Sequence, residues 1–139
     1  MNKVSVRFKS DVKNVALARN IASAFILEKD PTVSLINEVK TIVSEAVTNA
    51  IVHGYDSDDS FEVSMNLEIN DNELSIEVVD YGMGIIDIEQ AKTPLYSTKS
   101  DVERSGLGFT IIEVFSDTLH ITSLEGLGTT IHATKKLCE

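Results

Sequence analysis

Ser44-Glu45-Ala46-Val47-Thr48-Asn49-Ala50-Ile51-Val52-His53-Gly54 reads as the C-terminal end of a helix with one apolar face. At about 100° per residue, Leu35, Val39, Ile42, Val43, Ala46 and Ala50 share one stripe roughly 100° wide, which suits a core-facing helix. Glu45 and Asn49 stand one turn apart on the border of that stripe, with Glu38 further back on the same edge. Gly54 stops the helix. A carboxylate and an amide oxygen at the margin of a buried helix suit an active-site edge, and they suit a solvated flank as well. His53 falls on the apolar side and reads as a satisfied helix-end histidine.

A chain of 139 residues with 42% hydrophobic and 24% charged residues has the length and composition of one globular domain. Its net charge of -10 argues against a nucleic-acid surface, which needs a basic footprint, and suits a basic protein partner. A nucleotide, held by a few local donors and a metal ion, stays compatible with it. The one cysteine, Cys138, allows no disulfide within the chain and fits a reducing cytoplasm. The charged, alternating start from Met1 to Phe8 has no signal-peptide core, and no apolar run reaches the ~18 residues of a membrane span. A soluble, cytoplasmic protein without membrane contact is expected.

Outward from the central helix, Val4, Val6 and Phe8 alternate with polar residues as a short strand. Ser10 or Asp11 is placed to cap a helix running to about residue 28, with Val15, Ala18, Ile21, Ala22 and Phe25 on its apolar face. Arg19 lies beside that face, able to snorkel over the core or to meet a partner. Asp30-Pro31-Thr32 breaks this helix, and Ser34 is the expected cap of the next. An acidic loop over 55–60 leads to strands over 61–69 and 74–79, joined at Asn70-Asp71-Asn72. A weakly patterned lid is expected over 85–105. The last helix opens at Gly106-Leu107-Gly108, with Leu107, Ile111, Val114 and Phe115 on one face. Leu119, Ile121 and Ser123 alternate in a strand, and Glu125 to Gly128 turn into the final one. The order β-α-α-β-β-lid-α-β-β implies an α+β, two-layer sandwich: a mixed, mostly antiparallel sheet with its helices on one face.

Four elements could build a phosphate site. Gly106 and Gly108 bracket a helix N-terminus, where free N–H groups attract anions, and Lys99 and Arg104 precede it as cations. Asp80 ends a strand and is followed by Gly82 and Gly84; a buried carboxylate there suits the exocyclic amine of adenine, or caps a glycine turn. Gly128-Thr129-Thr130 offers hydroxyls at a strand start. The Asn49 carbonyl can ligate Mg²⁺ without adding negative charge, since Mg²⁺ takes one or two protein oxygens and fills its shell with water and phosphate. Glu45 is then placed to accept a proton from an attacking hydroxyl, a role worth roughly 10²–10⁴ in rate. Walker A and protein-kinase signatures are absent from the sequence.

These motifs, in this order, resemble the boxes of the GHKL ATP-binding family of gyrase, heat-shock chaperones and histidine kinases. Glu45-x-x-x-Asn49 is similar to its N box, and Asp80-x-Gly82-x-Gly84 and Gly106-x-Gly108 to its two glycine boxes. Gly128-Thr129 is similar to its last motif. The stretches 44–55, 94–99 and 103–110 resemble more closely the branch of anti-sigma factors that are also serine protein kinases, the sigma F type of spore-forming bacteria. The likeness spans essentially the whole chain, as a single domain over 1–139. Its glycine box, Arg104-Ser105-Gly106-Leu107-Gly108-Phe109, lacks the leading glycine usual in histidine kinases.

The resemblance implies a Mg-ATP-dependent kinase that holds a sigma factor while ATP is bound and phosphorylates an anti-anti-sigma antagonist on serine. Asn49 would hold Mg²⁺, Asp80 the adenine amine, and Ser105, Gly106, Leu107 and Gly108 the phosphates of ATP or ADP. Thr98, Lys99, Gly82, Gly84 and Thr130 would complete the nucleotide site, Arg104 would face the terminal phosphate, and Glu45 would be the base. A homodimer is implied, with Arg19 in partner contact. An ATP-gated anti-sigma module without kinase activity, or a kinase of the related general stress branch, are the alternatives; retention of Glu45 favours a kinase.

Overall fold

A computed structural model describes residues 1–82 and 105–137, apart from the side chains of 105–108. The lid expected over 85–105 falls almost wholly outside the described residues, as does Cys138. Five strands, β1 (Asn2–Lys9), β2 (Glu62–Asn70), β3 (Glu73–Asp80), β4 (Thr118–Leu124) and β5 (Gly128–Lys136), form one sheet in the order β1-β2-β3-β5-β4. Among the described residues three α-helices accompany it: α1 (Asn14–Phe25), α2 (Val33–Asn49) and α3 (Ser105–Phe115).

All four strand pairings are antiparallel, where some parallel pairing was expected. The reason lies in the return through α3. β3 and β4 run in the same direction, but β5 folds back between them, so the two never become neighbours.

Period-two alternation sorts the sheet into two faces. Val63, Met65, Leu67 and Ile69 of β2 and Leu74, Ile76 and Val78 of β3 are buried on the helix side, joined by Ile131 and Ala133 of β5. Ser64, Asn66, Ser75 and Glu77 face the other way, and Asn66 Nδ2 donates to Glu77 Oε1 at 2.8 Å. An antiparallel sheet tolerates one such wetted face.

Over the apolar face lie Val39, Ile42, Val43, Ala46 and Val47 of α2, all fully buried, so the stripe read from the sequence is the core side. Ala18 and Ala22 of α1 are fully buried too. Their small side chains let α1 approach the rest of the core closely. Each large apolar side chain sealed there contributes about 1.5–3 kcal/mol.

Three local expectations are corrected. Thr32, not Ser34, caps α2: its Oγ1 accepts the Leu35 N–H at 3.1 Å, because Pro31 delivers the chain to Thr32 in an extended conformation. α1 begins at Asn14 without a side-chain cap; Asp11 instead accepts the Lys13 N–H at 2.9 Å. Ser10 is diverted to the acidic loop, donating to the Asp58 carbonyl at 2.6 Å and accepting the Phe61 N–H at 3.2 Å. Among the described side chains of α3, Phe109 and Ile112 are buried, while Val114 is 70% exposed. That helix is apolar on nearly every side, so its rotation is set by packing against α2 and not by pattern.

Candidate functional site

α2 does not simply stop at Gly54. After Asn49 it widens into a single π-helical turn, Ala50–Gly54, closed by the Tyr55 N–H on the Ala50 carbonyl at 3.0 Å. Turns of this kind concentrate at functional sites. Here the turn brings Gly54 against the carboxyl of Asp80, so closely that a Cβ on Gly54 would lie 2.5 Å from it. Gly82 packs on the Gly54 carbonyl, where a Cβ would overlap the backbone. Gly128, at φ +114°, packs on the backbone of Asp80 in a conformation that L side chains rarely adopt. Three segments distant in sequence thus close around one carboxylate.

Asp80 is 4% exposed and ends β3 opposite Thr129 of β5. Its Oδ1 accepts the Gly82 N–H at 2.9 Å. Burial pushes its carboxyl up to about 6, although backbone N–H groups of Gly82 and Thr129 pull the other way. The group is therefore ionised at neutral pH but poorly compensated, and it has capacity for a further donor.

Tyr55 fastens this corner. Its hydroxyl donates to the Glu62 carbonyl at 2.7 Å and accepts the Tyr81 N–H at 2.8 Å, tying the start of β2 to the end of β3. Its ring stacks on Phe61 with centroids 4.9 Å apart. Burial raises its phenol above the usual value.

Asn49 is 8% exposed, and its Nδ2 donates to the Glu45 carbonyl at 2.9 Å. The amide nitrogen is thereby committed to the helix, and the oxygen is the end presented outward. That is the orientation a hard cation needs. Among the described residues no three His, Cys, Asp or Glu side chains converge on a metal. Glu45 is half-buried one turn earlier. Glu38, on the same edge, is committed elsewhere: its Oε1 meets Lys135 Nζ at 2.7 Å.

The last motif resolves by alternation. Thr129 is 6% exposed, on the helix side beside Asp80, whereas Thr130 pairs with Val79 on the opposite face. The structure therefore brings Thr129 into the site and turns Thr130 away from it. Ser123 of β4 lies opposite Thr129 in the same row, its Oγ 3.0 Å from Thr129 Oγ1. Arg19 is half-buried on α1, and its Nε has no hydrogen-bond partner among the described residues.

Gly84, Thr98, Lys99 and Arg104 lie outside the described residues. Ser105, Gly106, Leu107 and Gly108 form the first turn of α3, which leaves their backbone N–H groups at a helix N-terminus. Gly54, Tyr55 and Ser123 were not singled out from the sequence as site residues. For Ser123 a signal existed, a hydroxyl closing an otherwise apolar alternation with Leu119 and Ile121.

Comparison with known proteins bears on the same residues. The histidine kinase-like ATPase domain matches residues 8–135. The anti-sigma F factor of Clostridium beijerinckii is 47% identical over 135 residues, covering 97% of this chain and 94% of its own. That of Shouchella clausii is 46% identical, covering 98% and 93%. Among solved structures, the RsbU and RsbW domains of a Mycobacterium tuberculosis protein superpose with a TM-score of 0.69 at 18% identity, over 99% of this chain. The chain spans 32% of that structure's length, and at that identity the likeness is one of fold. No helix among the described residues is long and apolar enough to cross a membrane.

Proposed function

The chain belongs to the histidine kinase-like ATPase domain family, among the anti-sigma F factors, and from that premise we propose a nucleotide-gated serine kinase. In this reading it holds a sigma factor of the F type while ATP is bound, as a cytoplasmic homodimer. It then phosphorylates a serine of an anti-anti-sigma protein, and the sigma factor is displaced. The observation that carries the nucleotide half is the closure of Gly54, Gly82 and Gly128 around Asp80, whose carboxylate is buried.

Asp80 accepts from the adenine amine, for which its burial and spare acceptor capacity suit it. Asn49 would hold Mg²⁺ through its side-chain amide oxygen, and the ion would there supply neutralisation of charge on the phosphates. The first turn of α3 offers its N–H groups to the phosphates, and Thr98, Lys99 and Arg104 are assigned there by family resemblance alone. Glu45 takes the proton from the substrate serine as its Oγ bonds to the γ-phosphorus. The bond from that phosphorus to the bridging oxygen breaks, and ADP leaves. Arg19, with its unpartnered Nε, meets a protein partner.

The test is incubation of the protein with labelled ATP, Mg²⁺ and purified antagonist, followed by mapping of the modified residue. Phosphoserine is expected, and Glu45→Ala should lower its rate by roughly 10²–10⁴ while ATP and sigma binding persist. Full transfer by Glu45→Ala would remove Glu45 as the base. Absence of phosphoserine with the intact chain would leave a binding module gated by ATP.

A further inference from the structure

β2 and β3 pair from Asn70 opposite Glu73 to Ser64 opposite Val79, and there the ladder stops. Continued in the same register, it would next set Glu62 opposite Tyr81, backbone against backbone. The Tyr55 hydroxyl stands between these two instead. It accepts the Tyr81 N–H at 2.8 Å and donates to the Glu62 carbonyl at 2.7 Å. Both directions are fixed, because a backbone N–H only donates and a carbonyl only accepts. One direct bond of about 2.9 Å is thus replaced by two in series, which holds the two strand ends apart.

The hydroxyl is itself held from both sides. The Tyr55 N–H closes the π-helical turn on the Ala50 carbonyl, and the ring stacks on Phe61. Phe61 is anchored by Ser10, whose N–H donates to its carbonyl at 2.9 Å and whose Oγ accepts its N–H at 3.2 Å. On the far side of the hydroxyl the spacing is tight. Gly82 packs on the Gly54 carbonyl, and Gly128 packs on the backbone of Asp80 and Tyr81. The Gly82 N–H reaches back to Asp80 Oδ1 at 2.9 Å. A shift of the Tyr81 backbone therefore carries the Asp80 carboxyl with it.

We infer that Tyr55 is a positioning residue for nucleotide binding: its hydroxyl is a spacer spliced into the end of the β2–β3 ladder, and it sets where the Asp80 carboxyl stands. The inference rests on the reading of Asp80 as the acceptor for the adenine amine and adds a residue that acts through it. Without the hydroxyl, the Tyr81 N–H and the Glu62 carbonyl either close on each other or lose their partner. In both cases the turn from Asp80 to Gly82 moves.

Tyr55→Phe keeps the ring and removes the spacer. ADP dissociation constants are measured on the intact wild-type protein, Tyr55→Phe, Asp80→Asn and the double variant, with thermal melts to establish that each is folded. Tyr55→Phe should weaken ADP about tenfold. In the Asp80→Asn background the same change should cost less than about twofold, since the carboxylate it positions is gone. A role in stability alone would not produce that dependence. Amide hydrogen exchange on the wild type tests the spacer without a variant: the Tyr81 amide should be protected like the amides of the ladder, and ADP should slow it further. Unchanged ADP affinity in folded Tyr55→Phe, equal losses in the two backgrounds, or a Tyr81 amide that exchanges as in an open loop would each overturn the inference while the nucleotide site stands. A wild-type protein that does not bind ADP would overturn the site and the inference together.

Discussion

The two ends of the α2–sheet interface hold polar groups of opposite kinds. At the far end Glu38 and Lys135 meet at 2.7 Å, a donor and an acceptor matched within the chain. At the near end Asn49, Asp80 and Thr129 are all buried, and their partners are local: Asn49 Nδ2 donates to the Glu45 carbonyl and Asp80 Oδ1 accepts the Gly82 N–H. Burying a carboxylate costs free energy, which pushes the Asp80 carboxyl up to about 6 despite its backbone donors. The far end pairs its charges, whereas the near end buries a carboxylate against backbone N–H groups.

Breaking the near end at its tightest point should have the largest effect. Gly54→Ala would drive a methyl into the Asp80 carboxyl, where a Cβ has 2.5 Å. Nucleotide affinity should fall about a hundredfold, with a loss of stability of about 1–3 kcal/mol by titration calorimetry and denaturant melts. Wild-type affinity in that variant would mean the contact is relieved without moving Asp80.

Titration of Asp80 gives the intermediate effect, with opposite signs for folding and for binding. Its carboxyl is pushed to about 6 in the folded chain against 3.8 unfolded. Between those values the folded state binds the extra proton. The stability this group contributes is full below about pH 4 and is lost as pH rises through 6, to the extent of about 3 kcal/mol. Binding an amine needs the carboxylate, so ADP affinity should fall roughly tenfold between pH 7 and pH 5. Asp80→Asn should flatten both profiles. A pH-independent ratio of wild-type to Asp80→Asn affinity would rule out the role of the charge.

The smallest effect belongs to the far end. Lys135→Met keeps the stem and removes the charge of a partly buried pair, so stability should drop by no more than about 1 kcal/mol. Nucleotide affinity should not change. A change there would show that the two ends are coupled through α2.

Legibility in the sequence follows the range of the interactions. The stripe of α2 and the alternation in β2 and β3 were readable because each arises between residues a few positions apart. Glu38 and Glu45 looked equivalent on one edge; only the docking of β5 commits the first to Lys135. α3 could not be phased, since apolar residues surround it and packing alone buries Phe109 and Ile112. Thr130 looked as suitable as Thr129 until the register of β5 against β3 turned it to the other face.

By itself the sequence determined the elements, the motif order and the family, together with the candidate residues Glu45, Asn49 and Asp80. Those properties are written in neighbouring residues and their spacing. The tertiary structure decided that Gly54 packs against the Asp80 carboxyl as well as ending a helix, that Tyr55 pins the Asp80 corner, and that Ser123 lies against Thr129. Each depends on a close approach between segments far apart in the chain, and no local pattern encodes which backbone will arrive there.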